Sequence, residues 1–437
     1  MSHVAHETEE KQEALPLERD CFVFLPGMAG GVAVNQKIDV LCRRIAAALD
    51  SNADDRTITF SHKVHALENL KTFKGEVGTI YRQDDQGDTP VIDVYMLDYR
   101  QTLIERYENR NLLVKTGLLL AALPGGVARI LGAMITRRTS KSRQEKLQLL
   151  YAIGILCLLI VYVAILIGAL ASLIDDSNVL AKVLPGTKLT EFFKWFSKVS
   201  QWIVVLGAVL LLFLPPKFNF KERIGQAAVD YLCLVYYLNL GEQRNTIVGR
   251  LETFIDEISR ISGTERKKGP GKGYRHIHLF SYSFGSIIAL DALFPAGRSP
   301  GRPLRDIHTL VTIGCPFDFV RTFWSSYFDK RREYAKDHPA RWLNVYSPLD
   351  VLASNFRNDS QIGDASISIR AEELSANADA PAPSNVRFHE GLDHSQLSFS
   401  DSLTLLGLRA HSMYWSSKAE VERNCFSELI PKMYNGR

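Results

Sequence analysis

Ser281-Tyr282-Ser283-Phe284-Gly285 follows a mostly apolar run, Ile277 to Phe280, and leads directly into another, Ile287 to Leu293. The pattern predicts a strand, a sharp turn and a helix, with a serine at the apex. Such a turn holds a hydroxyl proud of the backbone, where a base can reach it and a substrate can approach. Strand and helix pass close together there, so the flanking positions must be small, and Gly285 meets that need. Ser281 stands where the G-x-S-x-G pattern has its first glycine, a small departure.

Outward from this stretch, short apolar runs alternate with helical patterns. Cys21 to Leu25 is an apolar run ending in Pro26-Gly27-Met28-Ala29-Gly30-Gly31, and Val32 to Leu49 then shows helical spacing. Val91 to Leu97 reads as a buried strand. Thr246 to Ile261 reads as an amphipathic helix with Ile247, Leu251, Phe254, Ile255 and Ile258 on one face. His276 to Phe280, Ile307 to Ile313 and Trp342 to Tyr346 read as further strands. Strands alternating with helices predict an α/β fold with a mostly parallel sheet covered on both faces. Gly363 to Asn385, rich in Ala, Ser, Asp and Pro, reads as a loop insertion.

The middle of the chain is of another character. Leu147 to Ile174 contains no charged residue. A helix of that length reaches about 40 Å, enough to cross a hydrocarbon core of about 30 Å with some tilt. A second uncharged run lies between Lys198 and Lys217, with Trp202 at one end and Pro215-Pro216 at the other. The two runs predict a transmembrane hairpin rather than buried core helices. Leu112 to Leu123, interrupted by Lys115, reads as too short to span and as ending in Pro124-Gly125-Gly126, which fits an interfacial or re-entrant segment or a core helix. Arg129, Arg137, Arg138, Lys141, Arg143 and Lys146 precede the first span, and Lys217, Lys221 and Arg223 follow the second. The connecting loop has four lysines and three acids. The excess of basic residues outside the hairpin places both flanks in the cytoplasm. If both flanks belong to one sheet, the number of crossings must be even. The expected organisation is a mobile N-terminal tail over 1–20 and a first part of the sheet domain over 21–110. A membrane insertion over 111–222 follows, with spans at about 149–174 and 199–216, and then a second part of the domain over 223–437.

Four features in order resemble the α/β-hydrolase superfamily, in its lipase and esterase branches. They are the Phe22-to-Gly31 strand and glycine loop, the Ser281-to-Gly285 elbow, Pro348-Leu349-Asp350-Val351 after a strand, and Ala410-His411-Ser412-Met413-Tyr414-Trp415 near the C-terminus. The resemblance leaves out the apolar hairpin. Serine, acid and histidine in that chain order, each just after an apolar run, is the superfamily pattern.

Cleaving an ester or thioester at neutral pH needs a nucleophile stronger than water, and a serine hydroxyl becomes one when a base takes its proton as it attacks. The resemblance makes Ser283 the nucleophile, His411 the base and Asp350 the acid that orients the imidazole. Ser283 could otherwise simply cap the helix that follows it. His389 and His394 are rival histidines in the same C-terminal region, and Asp318, after the preceding strand, is a rival acid. His389-Glu390 and His394 are spaced one residue too far apart for a zinc helix and are interrupted by Gly391. An oxyanion needs two aligned donors. The amide of Phe284 is one, by the geometry of the elbow, and the resemblance implies Met28, or Ala29, as the other.

The expectation is a membrane-anchored serine hydrolase acting on a lipid ester or other acyl ester, with no metal or organic cofactor. The alternative is a non-catalytic scaffold of the same fold that uses the hairpin for assembly or signalling; a channel is a third reading, without intramembrane charge to support it. At 437 residues and a net charge of +4, the chain is only mildly basic and gives no argument for nucleic acid as a partner. The glycines of Pro26 to Gly31 do not match a dinucleotide loop. Gly269-Pro270-Gly271-Lys272-Gly273 lacks the Ser or Thr of a phosphate loop and reads as a connector. The six cysteines, scattered without metal-ligand spacing, read as free thiols. Met1 to Asp20 shows no basic region followed by an apolar core and so no cleavable signal.

Overall fold

A computed structural model describes residues 19–28, 37–53, 57–67, 70–85, 87–108, 110–136, 143–176, 220–266, 274–296, 299–328, 341–347, 350–356, 383–388, 410–411, 414–415 and 424–434. Its centre is one eight-stranded sheet in the order β2-β3-β4-β1-β5-β6-β7-β8. The strands are β1 (Arg19–Leu25), β2 (Thr59–Ala66), β3 (Glu76–Asp84), β4 (Gly87–Met96), β5 (Tyr274–Tyr282), β6 (Ile307–Ile313), β7 (Arg341–Tyr346) and β8 (Ser384–Arg387). From β4 to β8 all neighbours are parallel; β2 and β3 add an antiparallel edge. The chain is therefore an α/β protein with a mixed, largely parallel sheet. No strand is expected from the sequence between Leu49 and Val91, yet β2 and β3 lie there. Thr59–Ala66 is a half-exposed edge strand carrying His62, Lys63 and His65, and so lacks the apolar run that marked the central strands.

β1 pairs in parallel with β5, across the whole middle of the chain, with Phe24 beside Phe280 and Leu25 beside Ser281. Alternation along the strands serves two cores. Cys21, Val23, Leu25, Ile277 and Leu279 face one, while Phe22, Phe24, Phe280 and Tyr282 face the other. The first core is covered by α2 (Arg100–Glu108), α5 (Phe220–Asn239), α6 (Gly241–Arg266), α7 (Phe284–Leu293) and α8 (Phe317–Phe323). The second is covered by α1 (Ile38–Ser51) and α9 (Cys425–Tyr434). Every residue of α7 is buried, which accounts for a helix apolar on all sides.

Arg19 and Asp20 belong to β1 and not to an N-terminal tail: Asp20 is buried and accepts two hydrogen bonds from Arg275, at 3.1 and 2.8 Å. Burial works against its negative charge, but the Arg275, His278 and Tyr434 contacts outweigh it and hold the carboxyl below its usual range. Ser384 and Asn385, read as the end of a loop, open β8 and pair with Leu343 and Asn344. All six cysteines are free, Cys157 exposed and the other five buried.

A third apolar cluster joins α3 (Leu112–Thr136) and α4 (Arg143–Asp176) to α5 and α8. α3 corrects the expectation that the segment ends near Pro124: the helix continues through Pro124-Gly125-Gly126 to Thr136. Gly126 serves packing there, since a Cβ on it would lie 2.2 Å from the Tyr231 hydroxyl of α5. Two helical windows, Val114–Ile135 and Leu147–Ala164, are long and apolar enough to cross a membrane. Only 22% of the first and 35% of the second is buried in the protein, so neither is an enclosed core helix. The second window overlaps the expected first span at 149–174 over residues 149–164; the expected second span, 199–216, lies outside the described residues.

Candidate active site

The carboxyl ends of the parallel strands converge on one region. β1 sends its following strands to one side and β5 to the other, which makes the gap between their ends the switch point where such sheets place ligands. Ser283 follows β5 there with φ 53° and ψ −126°, one of two non-glycine residues with positive φ among those described. A serine in that region costs roughly 1–3 kcal/mol and persists only where the surroundings enforce it. They do so from three sides. The Ser283 N–H donates to the Ile313 carbonyl at 2.8 Å. Gly27 lies so close that a Cβ on it would be 3.1 Å from the Ser283 Cβ. Gly285 lies flush on the end of β1, where an added Cβ would be 2.6 Å from the Pro26 carbonyl oxygen and 2.7 Å from that of Leu25.

Gly285→Ala therefore has no side chain to push aside, only backbone. It is expected to destabilise the protein by about 3 kcal/mol, at the upper end for overpacking, read as a fall in Tm. An unchanged Tm would mean that the turn gives way freely.

Ser281 is fully buried, and its hydroxyl donates to the Val311 carbonyl of β6 at 2.9 Å. The departure from glycine at that position is thus accommodated by a bond to the neighbouring strand. The hydroxyl of Ser286 donates to the Ser281 carbonyl at 3.0 Å. Both serines are engaged away from the apex.

The Ser283 Oγ lies 2.7 Å from His411 Nε2, and His411 Nδ1 lies 2.7 Å from Asp350 Oδ2. A carboxylate only accepts, so the Nδ1 nitrogen carries the proton and Nε2 presents its lone pair to the serine. Asp350 is 1% exposed yet well supplied with donors. The Leu352 N–H reaches its Oδ1 at 2.9 Å, and the Tyr414 hydroxyl reaches Oδ2 at 2.9 Å. Tyr414 in turn accepts from the Ser347 N–H at 2.8 Å. Burial, and then the Asp350 charge, push the Tyr414 phenol well above its usual range, so it stays a neutral donor. Tyr282 stacks on the imidazole with ring centroids 5.3 Å apart, and its hydroxyl donates to the His411 carbonyl. Gly314, at φ +57°, forms the floor: a Cβ there would lie 2.9 Å from the Tyr414 ring, 3.2 Å from the imidazole and 3.3 Å from Asp350 Oδ2.

The structure thus brings Ser283, His411 and Asp350 together. Asp318, the rival acid, sits in the first turn of α8, where its carboxylate lies 3.7 Å from Arg321 and its N–H donates to Ser354 Oγ at 2.6 Å. His389, His394, Ala29 and the Gly269–Gly273 connector lie outside the described residues. Phe284, directly after the serine, is the first residue of α7, and Met28 is buried in the turn after β1, next in sequence to Gly27, which lies against Ser283. Tyr282, Gly314, Tyr414 and Gln148 were not singled out from the sequence. Gln148 is fully buried, and its side-chain amide donates to the Val351 carbonyl at 3.1 Å, tying the start of α4 to the loop of Asp350. No sequence pattern marked them: the place of Tyr414, three residues after His411, shows its role only once both side chains are seen on the Asp350 carboxylate.

Chemically, the arrangement can pass a proton from a hydroxyl to an imidazole whose other nitrogen is anchored. Among the described residues, no group of three or more His, Cys, Asp or Glu side chains is placed to hold a metal ion. Comparisons with protein families, with curated proteins and with solved structures find no match to this chain.

Proposed function

We propose that the chain is a membrane-anchored serine hydrolase of the α/β-hydrolase type, cleaving carboxylic esters or thioesters, lipid esters among them. The observation that carries this is the unbroken run Asp350–His411–Ser283, both links 2.7 Å, ending on a serine held at positive φ. Ser283 Oγ attacks the acyl carbon as His411 Nε2 takes its proton; the carbonyl oxygen becomes an oxyanion facing the amides of Phe284 and Met28. Collapse of the tetrahedral intermediate breaks the bond to the alcohol or thiol, which leaves with the proton from His411. Water then repeats the sequence on the acyl-serine, giving the acid and the free hydroxyl. Asp350 holds the imidazole in one tautomer and stabilises the imidazolium that forms.

The membrane part of the reading rests on the uncharged run within α4 and on that between Lys198 and Lys217. The pairing of β1 with β5 requires that the chain return to the side it left, so the count of crossings is even. The basic residues flanking the apolar runs favour the cytoplasmic side for the sheet. A catalytic serine held near the bilayer would meet acyl esters dissolved in it.

The test is a fluorophosphonate probe on the purified full chain, which forms a Ser Oγ–P bond and releases fluoride. The expected result is one adduct, mapped by mass spectrometry to the peptide bearing Ser283. A folded protein without an adduct would overturn the proposal and leave the scaffold reading in its place.

A further inference from the structure

α3 carries apolar residues on both of its faces. Leu119, Leu123, Ile130 and Ala133 are buried against α4, α5 and α8, and with Gly126 on Tyr231 they form an inward stripe at spacings of three and four. The opposite side presents Val114, Leu120, Leu131 and Ile135, with Ile135 75% exposed. Of the eight exposed large hydrophobic side chains among the described residues, five lie on α3, two on α4 (Leu150 and Ile160) and one elsewhere. A helix on the wall of a protein in water shows a polar outer face; this one has none.

α3 is nevertheless held flat on the domain. Arg129, near its middle, donates to the Asn239 side chain at 2.8 Å and lies 4.7 Å over the Trp324 ring. Contacts to α4, α5 and α8 run from Leu119 to Ala133. At its start, Asn111 accepts from the Val114 N–H at 2.9 Å. A guanidinium pinned to the domain in mid-helix is a poor fit to a bilayer crossing. A crossing by α3 in addition to α4 and 199–216 would also make three, which the β1–β5 pairing forbids.

We infer that α3 lies in the plane of the membrane surface, with Val114, Leu120, Leu131 and Ile135 sunk into one leaflet, and seats the sheet domain on the lipid. This rests on the membrane reading above and adds the surface and orientation by which the domain meets the bilayer. The occupant is lipid and not a second copy of the chain, for two reasons. α4, which packs against α3, also exposes Leu150 and Ile160, and its uncharged run extends to Ile174. The connection from α3 to α4 carries Arg137, Arg138 and Lys141, suited to anionic headgroups.

The test uses the full chain with Cys157→Ser, which removes the one exposed thiol, reconstituted in phosphatidylcholine–phosphatidylglycerol vesicles. Spin labels are placed singly through Leu120→Cys, Leu131→Cys and Ile135→Cys, and depth is read from oxygen against nickel-chelate accessibility. The expected result is a similar shallow depth at all three positions. A crossing helix would instead give a gradient of about 22 Å from position 120 to 135 at 1.5 Å per residue, and that outcome overturns the inference. So does free access of the chelate at all three, which means water, or exclusion of both reagents, which means a protein partner. In a second arm, Leu131→Glu should lower turnover of a vesicle-borne ester about 10-fold while a soluble short-chain ester is hydrolysed as before. Loss of both activities, or of neither, counts against the seating role. The depth readout needs no activity, so it stands or falls separately from the hydrolase reading.

Discussion

Ser283→Ala is expected to lower ester turnover by about 10⁶-fold while leaving the melting temperature near that of the parent. The size follows from the loss of the hydroxyl that lies 2.7 Å from His411 Nε2, the one hydroxyl on that nitrogen among the described residues. Ser281 and Ser286 are both fully buried and bonded to backbone carbonyls of β6 and β5, so neither swings into the vacated place. The mildness of the structural effect follows from what enforces the turn. The Ser283 N–H bond to Ile313 and the close approach of Gly285 to β1 do not involve the Ser283 side chain. Alanine at φ 53° bears the same backbone strain as serine, so the substitution neither adds nor relieves it. The measurement is hydrolysis of a short-chain ester by purified protein, with thermal melting as the control for folding. Residual turnover above about 1% of the parent, far over the level a lost nucleophile permits, would place the nucleophile elsewhere.

Legibility in the sequence tracked burial. β5, β6 and β7 are covered on both faces, so they appear as mostly apolar runs without strict alternation. The elbow was legible for a related reason, because a serine between an apolar strand and an apolar helix has few structures open to it. β2 and β3 were not legible: they form the antiparallel edge of the sheet, β2 pairing with β3 and β3 turning tightly into β4 at Asp84 and Gly87, and their half-exposed polar residues interrupt the apolar pattern that marks the central strands. Pro124-Gly125-Gly126 misled in the opposite sense. Proline and glycine lower helix propensity by local terms of about 1–3 kcal/mol, and the apolar packing of α3 on α4, α5 and α8 overrides them. At the site, Ser283, His411 and Asp350 stand out because each follows an apolar run in a familiar chain order. Tyr414 does not, because a tyrosine three residues after a histidine has no meaning until Ser347 and Asp350 are seen on either side of its hydroxyl.

Asp350→Asn is expected to lower turnover by about 10⁴-fold, and Asp318→Asn to leave it within about twofold, as for the loss of a weak surface ion pair. The donors around Asp350 explain why an amide of the same shape fails. One carboxylate oxygen receives the Leu352 N–H; the other receives both His411 Nδ1 and the Tyr414 hydroxyl. An asparagine that keeps its carbonyl toward Leu352 turns its NH₂ toward His411. The imidazole must then accept at Nδ1 and carry its proton on Nε2, facing Ser283, where it can no longer act as a base. The flipped amide sets NH₂ against the Leu352 N–H, two donors in a buried place, and costs about 1–3 kcal/mol. Tyr414 cannot relieve either state, because the Ser347 N–H already donates to its oxygen and its own proton must find an acceptor. Among the described residues Asp318 faces no histidine in this way: its carboxylate lies 3.7 Å from Arg321, so an amide there weakens a long, partly screened ion pair. The two variants, compared on the same ester with kcat and KM separated, decide which carboxylate serves the histidine. The expected pattern is a loss confined to kcat for Asp350→Asn, since the amide alters the base and not the acyl pocket. If Asp318→Asn is the damaging change, or if Asp350→Asn raises KM alone, the 2.7 Å contact between His411 and Asp350 is not the one that orients the base.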